Sequence, residues 1–290
     1  MIFEIKLLNY FKFDIMNFLT IDREKCMQDG ICATECPRML IEFNNESLLP
    51  EAVTDAEEQC VKCGHCVAVC PHEALSVAGI KIQDCQPVKN DLLLSVDQVG
   101  QLIKMRRSIR NYHNKKIERE KLTKLVDIAR YAPTGGNTQQ VQWLVINSHD
   151  EVRKIAAATI EFLKGLVNKN HPLAERYNLE GLVKRWDSGI DGIFRGAPAL
   201  IVAHAPKEYG LATVDCTIAL SYLDITANSL GLGCCWAGFF MIAASQSASV
   251  LKMLTLPEGN ICAGGLMIGY PKNNYHRIPP RNEAKILWRE

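Results

Sequence analysis

Two cysteine runs constrain this chain more than any other feature. Residues 26–37 read CMQDGICATECP and residues 60–71 read CVKCGHCVAVCP. Aligned on their ends, both follow C-x2-?-x2-C-x3-C-P, and the queried position is Cys63 in the second run but Asp29 in the first. Thiolates at such close steps are metal ligands. The complete second run has the spacing that wraps a loop around an iron–sulfur cubane, with its fourth cysteine crossing over to a neighbouring cluster. A zinc ribbon fits poorly, because zinc loops usually bring two ligands each. By the cross-over rule Cys36, Cys60, Cys63 and Cys66 hold one [4Fe-4S] cluster, and Cys26, Cys32 and Cys70 hold the other with Asp29 at its fourth corner.

Asp29 leaves three arrangements open. Its carboxylate ligates the fourth iron, a harder donor than thiolate; or the corner is empty and the cluster is [3Fe-4S]; or Cys85, outside the loop, folds back as the ligand. The module over residues 22–80 closely resembles bacterial-type ferredoxins and departs from their pattern at Asp29 alone. That resemblance implies a labile four-iron cluster at this corner, ligated by aspartate and easily reduced to three irons. His65 and His72, in and beside the second run, are read as solvated loop histidines.

Of the twelve cysteines, seven fall between Cys26 and Cys70, which is clustering for metal and not a spread disulfide framework. A reducing cytoplasm is expected. The net charge of +1 argues against nucleic acid as the main partner. The apolar N-terminus is interrupted by Glu4, Lys6, Lys12 and Asp14, so it lacks the h-region of a signal peptide. No segment reaches the ~18 uncharged apolar residues of a membrane span. Met16 is an alternative start, which would leave residues 1–15 as an extension.

The expected organisation is α+β in two parts: residues 1–21 an extension, 22–85 a ferredoxin-like two-cluster domain, 86–94 a linker, and 95–290 a second domain. With 290 residues, 48% of them hydrophobic, such a chain can bury a sizeable core. Within the first domain 40–43 and 75–78 are β-prone. In the second, Val99, Leu102, Ile103 and Arg106 share one helical face, and Leu122, Leu125, Val126 and Ala129 the next. QWLVIN (142–147), ALIVAHA (199–205) and CAGGLMIGY (262–270) read as buried strands, about four strands being expected in all.

The chemistry-bearing motifs of the second domain come in a fixed order. Arg106-Arg107-Ser108-Ile109-Arg110 offers forked, charge-assisted donors for a phosphate or a ring carbonyl. APTGGNTQ (132–139) is a loop of small and amide residues, GLGCCWAGF (231–239) follows a helix, and Arg281 lies in the closing stretch. The order R-R-S-x-R, A-P-(S/T)-x-x-N-x-Q, G-L-G-x-x-W-x-G, then G-Y-P and a late arginine resembles the nitroreductase family of FMN enzymes over residues 95–290. The resemblance implies an FMN-dependent α/β sandwich and an intertwined homodimer with FMN at the interface. Carried over by position, Arg106, Ser108 and Arg110 hold ribityl, phosphate and ring-carbonyl groups with Arg107 beside them, and Arg281 grips the phosphate. Backbone at Cys235, Trp236, Ala237 and Gly238 lies against the reactive edge of the ring, while Pro133, Thr134, Gly135 and Asn137 reach the flavin of the other subunit. Two departures stand out. Pro279 occupies the place of a common lysine, for which Arg277 or Lys272 can substitute, and Thr134 and Gly135 stand where many relatives have serines.

The GLG of 231–233 is no dinucleotide fingerprint, since it follows a helix and lacks the third glycine. Cys234 and Cys235 read as buried small hydrophobes and His204 as a satisfied core residue. The expected function is an iron–sulfur flavoprotein oxidoreductase. A ferredoxin-type or NAD(P)H donor supplies electrons, and an electron-poor small molecule, nitroaromatic or quinone, receives them. The flavin does the chemistry, so no acid–base triad is expected. Two rivals remain: a specialised flavin reductase, dehydrogenase or dehalogenase, and a non-catalytic redox or iron sensor.

Overall fold

The computed structural model describes residues 18–44 and 46–290, so the alternative start at Met16 and the extension up to residue 17 lie outside the described residues. The chain divides into two compact units between Leu93 and Leu94.

The cysteine unit is a duplication at the level of the backbone. Its elements are β1 (Leu19–Ile21), α1 (Ile31–Thr34), β2 (Ile41–Phe43), β3 (Pro50–Ala52), α2 (Ala56–Gln59), α3 (His65–Val69) and β4 (Leu75–Val77). β1 pairs with β4 and β2 with β3, both antiparallel. Each cysteine run repeats the same left-handed positions: Gln28 and Lys62 (φ 58° and 49°), Gly30 and Gly64 (72° and 71°), Met39 and Glu73 (52° and 54°). The glycines cap α1 and α3, the short helices that carry Cys32 and Cys66. β1 falls inside the stretch expected to be an extension, and its ladder ties Leu19–Ile21 into this unit. Three residues are too few for alternation to be visible.

The second unit is built on one four-stranded antiparallel sheet in the order β5-β6-β8-β7. In chain order its elements are α4 (Val96–Met105), α5 (Arg119–Ala129), β5 (Gln142–Ile146), α6 (His149–Asn168), α7 (Pro172–Arg176), α8 (Leu179–Asp187), β6 (Ala199–Pro206), α9 (Ala212–Ala227), β7 (Gly233–Trp236), α10 (Gly238–Gln246), α11 (Ala248–Met253) and β8 (Asn260–Gly269). Helices cover both faces. Ile201 and Ala203 pack in a core with α5 and α9, whereas Leu200 and Val202 pack in a core with α6, α8 and α10. Burial on both sides explains why β6 is one continuous apolar run. The fourth strand, β7, hides in the glycine motif because its four residues, the first three of them buried, show no alternation. α4 starts with a Ser95–Gln98 capping box yet buries none of its residues within the chain.

Close packing on the sheet depends on Gly264 and Gly265. A Cβ at Gly265 would stand 2.9 Å from Phe240, itself fully buried. Gly265→Val is therefore expected to lower the thermal midpoint, at a cost of about 1–3 kcal/mol. Gly210→Ala, where a Cβ meets nothing within 4 Å, is the control and should leave the midpoint unchanged.

Candidate functional site

In the cysteine unit the candidate ligands separate into the two expected sets. One small cavity is lined by Cys36, Cys60, Cys63 and Cys66, another by Cys26, Asp29, Cys32 and Cys70. Among the described residues no three His, Cys, Asp or Glu side chains converge on a single ion. The duplication extends to the sulfurs: Leu40 N–H donates to Cys36 Sγ (3.3 Å) as Ala74 N–H does to Cys70 Sγ (3.5 Å). Such N–H···S bonds tune cluster potentials. Burial pushes the Cys66 thiol up to about 11, so a metal loading this unit must displace that proton. Asp29 occupies the backbone position of Cys63, and its Oδ1 accepts from Ile31 N–H (3.3 Å). His72, expected as a solvated loop residue, also lines the second cavity, with Nε2 4.0 Å from Asp29 Oδ2. Cys85 donates to the Lys81 carbonyl and lines neither cavity.

In the second unit the arginine segment is clamped at the end of the sheet. Ile109 N–H donates to Cys234 O (2.9 Å), and Lys272 N–H to Asn111 O (3.0 Å). Gly233 permits this approach, since a Cβ there would meet Ile109 at 2.3 Å. Arg106, Arg107, Asp224 and Arg277 line a cavity of about 570 Å³. Arg106 Nη1 lies 3.4 Å from Asp224 Oδ2, whereas the buried Asp224 Oδ1 has no hydrogen-bond partner among the described residues. Burial raises the Asp224 pKa, and Arg106 works against that rise. Arg107 donates to the carbonyls of Arg106 and Lys104, capping α4. Of the late basic residues it is Arg277 that lines this cavity; Arg281 and Lys272 do not.

Arg110 lines a second cavity, of about 260 Å³, with Cys235, Trp236 and Gly238. Ala237, expected to offer its N–H there, already donates to Gly265 O (3.0 Å). The donors left without an intrahelical acceptor are those of the first turn of α10, at Gly238, Phe239 and Phe240, and the first two of these residues line this cavity. Pro133, Thr134, Gly135 and Asn137 line neither cavity. Their loop is held from α9 instead: Asp215 accepts from Gly135 N–H (3.1 Å) and from the Tyr209 hydroxyl, to which Thr138 donates (2.9 Å). Leu211 occupies the space a Cβ on residue 135 would need, which accounts for glycine in the place of a serine. Asp215 and Asp224 are not evident in the sequence as site residues, although an acid inside an otherwise apolar helix is itself a signal. Cys234 and Cys235 are both buried, and they pack into opposite cores. Burial pushes Cys216 up to about 12 and Cys262 to about 11, leaving both as inert thiols at neutral pH. His204 is buried, held neutral by desolvation, and paired with Asn260 at 2.8 Å.

The sequence profile described as the Nitroreductase family matches residues 103–270, more than half of the chain. The chain belongs to the nitroreductase family. Residues 23–75 match a 4Fe-4S dicluster domain, so this family member carries a ferredoxin-type unit ahead of its catalytic one. A protein named as an NADH dehydrogenase/NAD(P)H nitroreductase, from Methanothermobacter thermautotrophicus, is 25% identical over 176 residues, 61% of this chain and 78% of that protein. One named FMN reductase (NAD(P)H), from Bacillus subtilis, is 24% identical over 182 residues, 60% of this chain and 66% of that protein. Among solved structures, a nitroreductase with bound FMN from Desulfitobacterium hafniense superposes with a TM-score of 0.53 at 26% identity, over 66% of this chain and 97% of that one. Another with bound FMN, from Bacteroides fragilis, gives 0.55 at 22% identity, over 67% and 99%. The α+β architecture expected for this nitroreductase-family chain is the one observed. Among the described residues no helix is long and apolar enough to cross a membrane.

Because the positions flanking Asp29 and Cys63 repeat one backbone geometry, Asp29→Cys should leave the fold intact. Redox titration followed by EPR should then show a changed potential and iron lability for one cluster only. A change in both clusters, or in neither, would refute the division of ligands.

Proposed function

We propose that the chain is an FMN-dependent oxidoreductase in which electrons from a low-potential, ferredoxin-type donor enter at the cysteine unit. They pass to the flavin cavity and leave on an electron-poor small molecule of the nitroaromatic or quinone type. The carrying observation is that one chain holds two small cavities, one lined by four cysteines and one by three cysteines and Asp29, and a third, larger cavity lined by arginines.

The donor set of the large cavity fits FMN. Guanidiniums at Arg106, Arg107 and Arg277 suit a phosphate. The unpaired Asp224 Oδ1 is an acceptor waiting for a hydroxyl donor, which the ribityl chain supplies. Bound there, FMN would accept electrons singly or as a pair and deliver a pair, the conversion that one-electron clusters cannot make. In the second cavity Arg110 and the first turn of α10 offer positive charge that would suit the electron-rich edge of a flavin ring. Cys235 and Trp236 line the same cavity, and Ser108 and Arg281, which line neither cavity, remain candidates for the flavin. Cys36, Cys60, Cys63 and Cys66 would hold one cluster, and Cys26, Cys32, Cys70 and Asp29 the other, with Asp29 as an oxygen ligand. Solvent supplies the protons.

A homodimer is supported by α4, which leaves Val96, Val99 and Ile103 exposed although they form its apolar face. In that dimer the loop of Pro133, Thr134, Gly135 and Asn137, braced by Asp215, would serve the partner's flavin. A second reading draws on the relatives' names: NAD(P)H delivers hydride directly to the flavin, and the clusters act as a branch.

Two experiments separate these readings. Anaerobic mixing with reduced ferredoxin should bleach the iron–sulfur absorbance first and the flavin second. NADH as direct donor would reverse that order, and clusters that reduce while the flavin stays oxidised would defeat the electron path altogether. For the dimer, Ile103→Glu should shift sedimentation to a monomer that keeps its iron, about eight atoms per chain or one fewer, and loses most of its FMN.

A further inference from the structure

The 260 Å³ cavity carries information about the acceptor beyond its being electron-poor. Two guanidiniums, Arg110 and Arg195, line it together with Tyr177, Trp236 and Phe239, and no carboxylate does. Neither arginine forms an ion pair with any described residue, and Arg110 reaches only the Ser108 carbonyl, at 3.5 Å. Two like charges facing one concave space call for anions to fill it. On the flavin reading above, Arg110 answers to the ring and the phosphate lies in the other cavity. Arg195 is left over.

Its backbone is also unusual. Arg195 sits at φ 57°, in the left-handed region that an arginine rarely adopts, and Gly196 follows at 70°. The Asp191 carboxylate maintains this turn by accepting from the N–H groups of Ile193 (2.8 Å), Phe194 (3.0 Å) and Gly196 (3.0 Å). Asp191 is thus spent on backbone and leaves the guanidinium uncompensated. Arg195 is exposed, yet a residue in the left-handed region whose flanking backbone is pinned and which lines a cavity has the marks of a functional position. The aromatic side chains define the rest of the ligand. Tyr177 and Phe239 meet edge to face with centroids 6.1 Å apart, and with Trp236 they offer flat apolar surface to a ring.

We propose that Arg195 is a specificity-determining residue of the acceptor site, and that the acceptor is a flat aromatic compound bearing a carboxylate that Arg195 binds. This rests on the flavin reading of the cavities. A guanidinium–carboxylate pair is short, forked and charge-assisted, so it distinguishes an acid from its amide of nearly the same shape.

The test uses the FMN-loaded protein and two matched pairs of probes. Benzoate should perturb the flavin absorbance saturably, and benzamide should bind at least about tenfold more weakly. In Arg195→Met the benzoate affinity should fall by about ten- to a hundredfold, to the level of benzamide. Affinity for FMN and the flavin potential should not move. With 4-nitrobenzoate and 4-nitrobenzamide as acceptors, the variant should lose the preference through KM while kcat holds. Arg195→Gly suits the left-handed backbone and should lose the same preference without loss of thermal stability, which removes misfolding as an explanation. Arg195→Lys should restore part of it. Equal binding of benzoate and benzamide, a preference that survives both variants, or weakened FMN retention in their place would each overturn the proposal. A protein that retains no flavin would be evident from the flavin count before any probe is added, and would defeat the underlying reading instead.

Discussion

A sheet buried on both faces has no room for charge in its middle, and the placing of every functional group in the second unit follows from that. β6 is buried from Ala199 to Ala205, and its one polar side chain, His204, is kept neutral by desolvation and paired with Asn260. Charged groups are therefore confined to strand ends and to helices that pass over them. The Arg106–Arg110 segment meets the sheet through the Ile109–Cys234 backbone hydrogen bond and the buried Ile109 side chain, beside a glycine that lets it come close. α9 brings two acids to two different places, Asp224 to Arg106 and Asp215 to the 133–138 loop. Both carboxylates are buried, and an unpaired acid at that depth would be costly, so each fixes its partner's position firmly.

The cysteine unit meets the opposite constraint. Its core is small, made of Ile41, Val67, Leu75 and Val77 with Cys32 and Cys66 among them. Two ladders of three residue pairs each add little. A unit of this size with so little apolar surface ordinarily needs a covalent or metal brace. Metal bonding would provide it, since ligand bonds formed only in the folded state are folding free energy. The left-handed positions repeated in both runs are then the price of bringing sulfurs of distant residues around one point.

How much of this is legible in the amino-acid sequence depends on whether a feature is local. The cysteine spacing, the arginine segment and the three long apolar runs lie in single stretches, and they state their chemistry and their faces plainly. β1 and β7 are harder to see, because short strands take their shape from partners about 30 to 60 residues away, at Leu75–Val77 and Leu266–Gly269. Asp215 behind the loop and Arg195 in its cavity are set by tertiary contacts, to which neighbours in sequence give no clue, and of the two residues the sequence offers for the displaced lysine only Arg277 is found lining the large cavity. Ala237 shows the converse: it lies within a recognisable motif, yet its N–H is already taken by Gly265 across the sheet.

The Asp29 corner can be argued from the same duplication. If the two runs differed in backbone, a difference between the clusters could be assigned to loop shape or to solvent access as readily as to a ligand. Most of the backbone repeats: Gln28 and Lys62, Gly30 and Gly64, and the sulfur-directed N–H groups of Leu40 and Ala74 correspond one to one, while the second run adds Lys62 N–H donating to Cys60 Sγ (3.4 Å). At the queried corner the larger difference is chemical, a carboxylate for a thiolate with an imidazole close behind it at His72. A harder ligand holds oxidised iron better than reduced iron and binds either less firmly than thiolate does. Asymmetry between two otherwise matched sites would therefore reside in one side chain, where it can set the order in which the sites accept electrons without altering how the unit folds.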